Sequence, residues 1–452
     1  MIAIIGGGIS GLAAAYELSK RDVPFTLFEA SDRLGGLVYT QHVDGFTIEA
    51  GADSMLAQKR AGLELCDELG LTPRLISMQT RTAFVLHHGK LHPLPARSIF
   101  GIPGTWKGLA TYSLLPPAVR ARLALEPLVP VHRTADDESV AAFFRRRFGP
   151  ATVDLLAQPL LGGIHAGDVE TLSAPALFPR LTAAERSGRK VLRWVQHSAR
   201  TASSGGAFRS LSSGMGELVE AIRRRLSPDA VRCESPVVAL SRGSNSWEIT
   251  TPGGADSFPA VILACPAHAA GRLLEGVDPV AAALCRQVRY VSTVSVGLAW
   301  PGRSIGHPLN GTGFVVARAS NALRITACTW VSSKWEGRAP AGHALLRAYI
   351  GGAHDAAAVD LPDEELAAIA ARELSAILSI SGEPEIARVF RWRQAGAQHD
   401  VGHLARMKQL EDRLAAHPRL FATGSGFRSI GIPDCVADGR EVAAAAARTS
   451  AQ

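Results

Sequence analysis

Three glycines near the start of the chain have the spacing of a site that binds the phosphates of a dinucleotide. The apolar run Ile2–Ile5 is followed by Gly6, Gly8 and Gly11, and helical periodicity begins directly after them. In such a unit the first glycine permits the turn, the second admits the pyrophosphate to the backbone, and the third lets the helix approach the strand. The stretch therefore predicts the opening of a dinucleotide-binding βαβ unit.

A carboxylate lies where such a unit needs one for the ribose. The second apolar run, residues 25–28, ends on Glu29, which lies 18 residues after Gly11, near the roughly 20 residues expected. The first helical N–H groups, those of Ile9 and Ser10, are predicted to face the phosphates at the positive end of the helix dipole. The alternative interpretation is a glycine-rich turn in some other α/β protein.

The residues that follow the second strand suit a large cofactor. Gly35 and Gly36 are adjacent, and paired glycines let a backbone pass close to a bound group. Arg33 can reach a phosphate with its planar fork, although an ordinary surface turn is the alternative. A short hairpin then leads into residues 49–54.

The length and composition of the chain limit the classes of protein to which it can belong. A chain of 452 residues exceeds one core of ordinary size, so two or three domains are predicted. No apolar run reaches the roughly 18 residues of a spanning helix, and a strand that begins at residue 2 leaves no room for a signal peptide. We therefore expect a cytoplasmic protein, with contact to the inner face of a membrane left open.

The cysteines, histidines and charges narrow the chemistry further. Six cysteines form neither a Cys-x-x-Cys pair nor a metal-like cluster, so they are predicted to be reduced and mostly buried. The formal net charge of +7 fits an acidic ligand or an anionic membrane face, or reflects only compositional bias. The absence of alternating basic and aromatic residues argues against nucleic-acid binding.

His399 and His403 have i,i+4 spacing, but no Glu follows His399, so no metal site is predicted.

Motifs along nearly the whole chain resemble one group of enzymes. The glycine turn, Glu29, the segment Arg33-Leu34-Gly35-Gly36 and the loop Glu49-Ala50-Gly51 are similar to the FAD-dependent amine oxidase superfamily. Three further stretches resemble, within it, the oxygen-dependent protoporphyrinogen/coproporphyrinogen oxidases of haem biosynthesis. These stretches are Pro159–Asp168 with Leu172 and Ser173, the segment Phe208–Leu218, and Gly431–Gly439.

This resemblance implies an α/β fold with three parts. They are a Rossmann-like FAD-binding domain of the p-hydroxybenzoate hydroxylase/amine oxidase type, an inserted mixed-sheet substrate domain, and a helical domain that is a candidate for facing a membrane. The predicted boundaries are residues 1–75, 205–270 and 405–452 for the discontinuous FAD-binding domain, 76–95 and 271–404 for the substrate-binding domain, and 96–204 for the helical domain.

Periodicity predicts the elements that would build these parts. Helices are predicted at residues 116–125, 140–148, 151–161, 218–226 and 362–378, and a final helix is predicted to start near Pro433. Strands are predicted at residues 237–238, 247–250, 261–264, 293–300, 313–317, 323–330, 344–350 and 420–423. The basic helix at 116–125 is interpreted as either packed or membrane-facing.

By the resemblance, further FAD contacts come from three places. The backbone at Val237 meets the adenine, with an ordinary core strand as the alternative. The start of the last helix directs its positive end at the flavin pyrimidine, where negative charge develops on reduction. The contacts predicted there are Ile430, Gly431 and Ile432. The loop after the hairpin supplies Gly51, Ala52, Asp53 and Ser54.

The resemblance also implies residues that line the substrate cavity. The backbone of Ala166 and Gly167 is expected to line it, and Tyr349 is expected to stack near the macrocycle. The arginine that binds a substrate carboxylate in the family aligns with Ala83 here. Arg81, two residues earlier, would share the strand face and substitute for it. No catalytic base and no metal ligand is assigned.

The activity implied is FAD-dependent oxidation of protoporphyrinogen IX to protoporphyrin IX by molecular oxygen, with six electrons removed and hydrogen peroxide formed. The motifs do not separate this substrate from coproporphyrinogen III. An amine oxidase or carotenoid desaturase would lack the Ala166-Gly167-Asp168 stretch. The alternative from another class is a flavin-binding protein without turnover. The partners expected are the porphyrinogen and oxygen, with no nucleic acid, and a homodimer is left open.

Overall fold

Strands and helices are distributed along the whole chain. The computed structural model describes residues 1–132, 136–201, 206–317, 323–429 and 431–450. The strands, numbered in chain order, are β1 Ile2–Ile5, β2 Phe25–Phe28, β3 Thr40–Val43, β4 Phe46–Glu49, β5 Met55–Leu56, β6 Leu75–Ser77, β7 Ala83–His87, β8 Lys90–Pro93, β9 Ser98–Ile99, β10 Ile102–Pro103, β11 Phe208–Leu211, β12 Val231–Arg232, β13 Ala239–Arg242, β14 Trp247–Thr251, β15 Gly254–Phe258, β16 Ala260–Leu263, β17 Arg289–Pro301, β18 Gly313–Val316, β19 Ile325–Trp330, β20 His343–Gly351, β21 Ile386–Gln398 and β22 Leu420–Ala422.

The helices surround these strands. They are α1 Ile9–Lys20, α2 Arg60–Glu68, α3 Trp106–Ala110, α4 Pro117–Ala124, α5 Val140–Phe148, α6 Gly163–His165, α7 Ala174–Leu177, α8 Pro179–Arg186, α9 Val191–Thr201, α10 Gly216–Arg223, α11 Ala267–Leu274, α12 Pro279–Arg286, α13 Val331–Lys334, α14 Asp363–Leu378, α15 His403–Ala415 and α16 Ile432–Ser450. Single 3₁₀ turns cover Thr72–Arg74, Glu126–Leu128, Pro228–Ala230, Gly302–Ser304 and Ala356–Asp360, and a π-helical segment covers Val153–Gly162.

A five-stranded parallel sheet carries the N-terminal glycine turn. Its order is β12, β2, β1, β16 and β22, so it draws on the beginning, the middle and the end of the chain. Every residue of β1, β2 and β16 is buried, as expected for parallel strands covered on both faces. The predicted strands at 261–264 and 420–423 are confirmed as part of this sheet.

The first and last helices of the chain pack closely beside this sheet. A Cβ added at Gly439 of α16 would lie 2.3 Å from the carbonyl oxygen of Ser10 in α1. Only glycine permits that approach, because real Cβ atoms do not come so near a backbone oxygen. The start of α16 at Ile432 agrees with the predicted start near Pro433, and the C-terminal helix is thereby fixed to the N-terminal turn.

A seven-stranded mixed sheet forms the second large layer. Its order is β21, β17, β20, β19, β18, β7 and β8, and within it only the pair β18–β7 is parallel among the described residues. Strands predicted at 293–300, 313–317, 323–330 and 344–350 are confirmed here. The helix predicted at 362–378 is also confirmed as α14, and it covers this sheet with Leu366 and Leu374.

The helical region has a core of its own. Phe143, Phe144 and Phe148 of α5 are buried in it with Leu156. Residues 151–161, predicted as a helix, form instead the π-helical segment around Pro159. Proline has no N–H and crowds the preceding turn, so a wider helix accommodates it better than an α-helix does.

One other expectation needs correction. Residues 237–238 form no strand, because β13 begins at Ala239, although the N–H of Val238 still bonds the carbonyl of Thr250 at 2.9 Å. The helix predicted at 116–125 is present as α4, with Leu123 buried and Val119 and Ala124 partly buried against the core of the helical region. Among the described helices, none has the length and apolar character needed to cross a membrane. The residue boundaries of the three domains stay a prediction.

Candidate functional site

The glycine turn leaves space where a pyrophosphate would lie. A Cβ at Gly6 would come within 2.7 Å of the Ala264 carbonyl oxygen, and one at Gly11 would lie 1.9 Å from the Gly6 carbonyl oxygen. At Gly8 nothing lies within 4 Å of the added atom. Gly6 and Gly11 are therefore required by packing, whereas Gly8 faces open space at the N-terminus of α1. Ile9 and Ser10 form the first turn of that helix.

Glu29 is held at the edge of this turn. One carboxylate oxygen accepts a hydrogen bond from the Gly7 N–H at 2.7 Å, and the other accepts from the Ser31 N–H at 2.8 Å. The Glu29 carbonyl accepts from the Ser235 N–H at 2.9 Å. This bond brings the half-buried residue Val237, predicted at the adenine, into the neighbourhood of the predicted ribose ligand.

Arg33 and Gly36 close the other side of the turn. Gly36 has a φ of +56°, and a Cβ there would lie 3.2 Å from the Cα of Gly8. Arg33 donates to the carbonyls of Leu34 and Gly36, at 3.3 and 3.0 Å, and its guanidinium lies 4.4 Å from the centre of the Tyr39 ring. Its guanidinium therefore orders the loop that borders the glycine turn.

The loop after the hairpin turns its acidic side chain into the protein. The Asp53 carboxylate accepts from Lys334 Nζ at 2.8 Å and from Ser54 Oγ at 2.6 Å. Although burial opposes the charge, Lys334 and Arg347 hold the pKa of Asp53 well below its ordinary value. The Asp53 side chain is thus engaged by other residues of the protein, and contact of Gly51 and Ala52 with a cofactor stays a prediction.

The C-terminal loop is held by an acidic residue of the last helix. The Asp438 carboxylate accepts from Thr423 Oγ1 at 2.6 Å and from the Gly424 N–H at 3.1 Å. Gly431 has a φ of +82° and open space beside it, and α16 begins at the next residue, Ile432. Ile430, the third predicted contact, lies outside the described residues.

Two histidines that sequence reasoning treated only as an unlikely metal pair hold the same loop. The rings of His399 and His403 stack with their centres 3.9 Å apart. His399 Nε2 bonds the Ser425 carbonyl at 2.8 Å, and His403 Nε2 bonds the Phe427 carbonyl at 2.7 Å. Burial, followed by the nearby His399, lowers the pKa of His403 to about 4. The i,i+4 spacing in the sequence indicated that the two rings lie together, and in the structure the pair holds a loop.

The turn predicted to line the substrate cavity is held by residues from three other segments of the chain. Ala166 has a φ of +48°, and its carbonyl accepts from the Ala353 N–H at 2.8 Å. The Gly167 carbonyl accepts from Gln158 Nε2, and the His165 carbonyl accepts from Gln398 Nε2, both at 3.0 Å. All three carbonyls of the turn are thus occupied by protein donors.

The glycine at position 167 has a specific packing reason. Gly167 is buried, and a Cβ there would lie 2.3 Å from Oε1 of Gln398 and 2.8 Å from a methyl group of Leu172. Gln398 is itself buried, and its Oε1 has no hydrogen-bond partner in the described structure. Sequence reasoning missed Gln398 and Gln158 as supports of this turn.

Tyr349 and Arg81 lie on different parts of the seven-stranded sheet. Tyr349 is half-buried on β20, with its hydroxyl 3.3 Å from Thr329 Oγ1 and its ring 4.9 Å from the Arg347 guanidinium. Arg81 is exposed and precedes β7, which starts at Ala83. Three strand spacings, about 14 Å, separate β20 from β7, so the two residues do not meet.

The residues at this site fit a flavin cofactor. The open space at Gly8 and at Gly431 lies at the starts of two helices, α1 and α16, whose positive ends favour a pyrophosphate and a reduced flavin respectively. In the described ranges, no group of three His, Cys, Asp or Glu side chains is placed to hold a metal ion.

Comparison with known proteins agrees with this geometry. The profile of the family described as flavin containing amine oxidoreductase matches residues 9–447. Coproporphyrinogen III oxidase of Bacillus subtilis (strain 168) is 36% identical, over 97% of this chain and 96% of the relative. Protoporphyrinogen oxidase 2, chloroplastic/mitochondrial, of Arabidopsis thaliana is 24% identical, over 98% and 92%. A crystal structure from Exiguobacterium sp. 255-15, provisionally described as a protoporphyrinogen oxidase, is 32% identical with a TM-score of 0.88 and covers 100% of this chain and 99% of its own.

Proposed function

The chain belongs to the flavin containing amine oxidoreductase family, and we propose that it uses FAD and molecular oxygen to oxidise a porphyrinogen, with coproporphyrinogen III as its preferred substrate. The observation that carries the proposal is the 36% identity to a coproporphyrinogen III oxidase along nearly the whole chain. Motifs alone placed protoporphyrinogen IX first, and both substrates fit the relatives. The preference for coproporphyrinogen III follows from the more similar of the two curated relatives.

FAD is proposed over a mononucleotide because the site provides for an adenosine half. Glu29 would accept a ribose hydroxyl, and the bond from the Ser235 N–H to the Glu29 carbonyl brings the segment from Ser235 to Val237 beside it. The N–H groups at the start of α1 would bind the pyrophosphate across the open side of Gly8. A cofactor without the second phosphate and the ribose would leave these groups unused.

The bound flavin supplies the hydride acceptor of the reaction. The start of α16 at Ile432 would stabilise the negative charge that a reduced flavin carries. The Ala166 and Gly167 turn and the Tyr349 ring would border the macrocycle. Arg81, about 14 Å away by strand spacing, is at a distance that suits a carboxylate at the rim of a macrocycle rather than the reacting carbon.

Oxygen is proposed as the final acceptor, since no second glycine fingerprint follows a strand and no Cys-x-x-Cys pair occurs in the sequence. Six electrons leave the porphyrinogen in three pairs. Three oxygen molecules therefore yield three molecules of hydrogen peroxide and one porphyrin.

Aerobic turnover of the FAD-loaded protein on coproporphyrinogen III and protoporphyrinogen IX, side by side, tests the proposal. Porphyrin fluorescence and hydrogen peroxide are measured against an autoxidation control without protein. We expect faster conversion of coproporphyrinogen III with three peroxides per porphyrin. Faster conversion of protoporphyrinogen IX would reverse the substrate preference. No conversion above the control would leave only the flavin-binding fold.

Contact of the helical region with a membrane surface is a secondary proposal. The side chains of Trp106, Leu125 and Leu128 are 55%, 53% and 77% exposed, and large apolar groups of this kind suit an interface. Sedimentation with anionic lipid vesicles tests it. Binding that is lost in a Leu125→Ser, Leu128→Ser variant supports it, and equal sedimentation of both proteins contradicts it.

A further inference from the structure

One face of the seven-stranded sheet carries polar side chains toward the loop after the hairpin. Cross-strand partners in a sheet share a face, and the register pairs Ser295 of β17 with Tyr349 of β20. Arg347 lies two residues before Tyr349 on the same strand and so shares that face. Ser295 and Arg347 lie beneath the backbone of residues 49–51, which leads into the predicted FAD contacts at residues 51–54.

Three consecutive carbonyls of this loop accept hydrogen bonds from the sheet. The Ala50 carbonyl accepts from Ser295 Oγ at 2.6 Å and from Trp392 Nε1 at 2.8 Å. Arg347 Nη1 donates to the carbonyls on either side of it, at 2.7 and 2.8 Å. The buried guanidinium of Arg347 thus bonds the carbonyls on both sides of Ala50.

The opposite edge of the loop is also occupied. The N–H of Ala50 donates to the Tyr39 carbonyl at 2.9 Å, and the N–H of Ala52 donates to the Leu37 carbonyl at 3.2 Å. A Cβ at Gly51 would lie 2.0 Å from the Leu37 carbonyl oxygen. The loop is therefore held on both edges, by Leu37 and Tyr39 on one side and by Arg347, Ser295 and Trp392 on the other.

Charge around the loop is unbalanced in favour of cations. The cations Lys334, Arg338 and Arg347 face the carboxylates of Glu49 and Asp53, at 2.8 Å for Lys334 and Asp53, 3.6 Å for Arg347 and Asp53, and 3.5 Å for Arg338 and Glu49. Arg347 is only 4% exposed. An excess positive charge in so buried a place acts on a nearby anion with little screening by solvent.

We propose that Arg347 is a positioning residue that holds the 49–51 backbone against the bound flavin and contributes positive charge beneath it. This inference rests on the proposed function, because it takes the loop as the flavin contact. It assigns to the sheet a part in cofactor binding that does not depend on which porphyrinogen is oxidised.

Titration of flavin-free protein with FAD, followed by the visible spectrum of the bound flavin, tests this proposal. For Arg347→Met we expect an FAD Kd about tenfold higher, the effect of losing a charged hydrogen bond, and a shifted flavin absorption band. Arg347→Lys keeps the charge and one donor, so it should recover part of both properties. A role limited to fold stability would lower the melting temperature but leave the spectrum of bound flavin unchanged.

Two further variants keep the test decisive. Ser295→Ala removes one donor to the Ala50 carbonyl while Arg347 remains, and we expect about a threefold higher Kd from a neutral bond. Arg393→Met, on the exposed part of β21 where Arg393 pairs with Asp360, is the matched control and should bind FAD like the wild type.

Wild-type affinity and spectrum in Arg347→Met would overturn the proposal, as would equal losses in Arg393→Met. If Arg347→Met does not fold, wild-type affinity in Ser295→Ala overturns it and the expected loss supports it. A wild type that binds FAD but oxidises no porphyrinogen would sink the proposed function, while the titration would still decide the role of Arg347.

Discussion

The glycine turn at Gly6–Gly11 and the turn at His165–Gly167 both depend on glycine, but different kinds of contact hold the two turns in place. In the first, Gly11 packs against the carbonyl of Gly6, five residues away. In the second, one carbonyl is held by Gln158 of the preceding π-helical segment, and the other two are held by Ala353 and Gln398 from distant parts of the chain. A turn held by contacts within a few residues can be predicted from a sequence motif. A turn held by contacts between separate segments cannot.

The two turns also differ in what a new side chain would meet. At Gly11 the nearest atom is a backbone oxygen at 1.9 Å, which cannot move without the strand. At Gly167 it is the end of the Gln398 side chain at 2.3 Å, which can rotate away. Substitution should therefore damage the fold at the first position and the substrate side at the second.

The largest effect is expected from Gly11→Ala. The added methyl group must push α1 away from β1, and overpacking of this kind costs about 3 kcal/mol or more. We expect protein that purifies without flavin and melts about 5 °C lower or more. Thermal unfolding and the visible spectrum check this. A yellow protein of unchanged stability would show that helix and strand are not in contact as described.

Gly8→Ala should separate binding from folding. The added methyl group enters open space, so the melting temperature of the flavin-free protein should stay unchanged. FAD affinity should fall about tenfold, because the methyl group occupies the approach of the pyrophosphate. Calorimetric titration with FAD measures this. Unchanged affinity would place the phosphates elsewhere. Gly276→Ala serves as the control, because its added methyl group also enters open space and its backbone does not have a positive φ.

Gly167→Ala should spare FAD and impair turnover. Displacement of Gln398 would release the His165 carbonyl and shift the turn, and a misplacement of this size commonly lowers kcat/KM about tenfold or more. The double variant with Gln398→Ala should lose less than the sum of the single variants, since both act on one contact. Additive losses would show that the two residues do not interact.

A smaller effect is expected from the histidine pair as a function of pH. The folded-state pKa of His403 is about 4 against an ordinary 6.5, so the folded protein resists a proton that the unfolded chain accepts. The stability is full above pH 6.5 and falls as the pH drops toward 4. Asp400 opposes the shift and Arg406 adds to it.

His403→Gln keeps an N–H donor for the Phe427 carbonyl but does not titrate. Between pH 7.5 and 5.5 we expect the wild type to lose about 1 kcal/mol that the variant retains. Denaturant unfolding at both pH values measures the difference. Parallel losses in the two proteins would assign the pH dependence to other groups.

Much of the fold was readable from the sequence because the signals were local. The βαβ unit from Ile2 to Glu29 and the strands of the mixed sheet follow from apolar runs and glycine spacing. The π-helical segment was not readable, because helical periodicity does not reveal how Pro159 is accommodated. Val237 was read as a strand from its apolar character, whereas its pairing depends on where β13 begins.

The parts of the site that depend on backbone conformation could be predicted from the sequence better than the parts that depend on side-chain contacts. Gly6 and Gly11 have no room for a Cβ beside neighbouring backbone oxygens, so the spacing of the glycines alone predicts the turn. Gln398, Arg347 and His403 act through contacts between residues far apart in the chain, and their residue types have no meaning before those contacts exist. Resemblance to a family pointed to Gly167 and Tyr349, but not to the side chains that hold them.

Anaerobic reduction of the bound flavin by coproporphyrinogen III tests the division between the two turns most directly. Wild type and Gly167→Ala, loaded to the same FAD content, are mixed with substrate and followed at the absorption band of oxidised flavin. We expect the wild type to bleach and to regain its colour with oxygen, and Gly167→Ala to bleach about tenfold more slowly. Equal rates in the two proteins, or a wild type that stays yellow, would contradict the account.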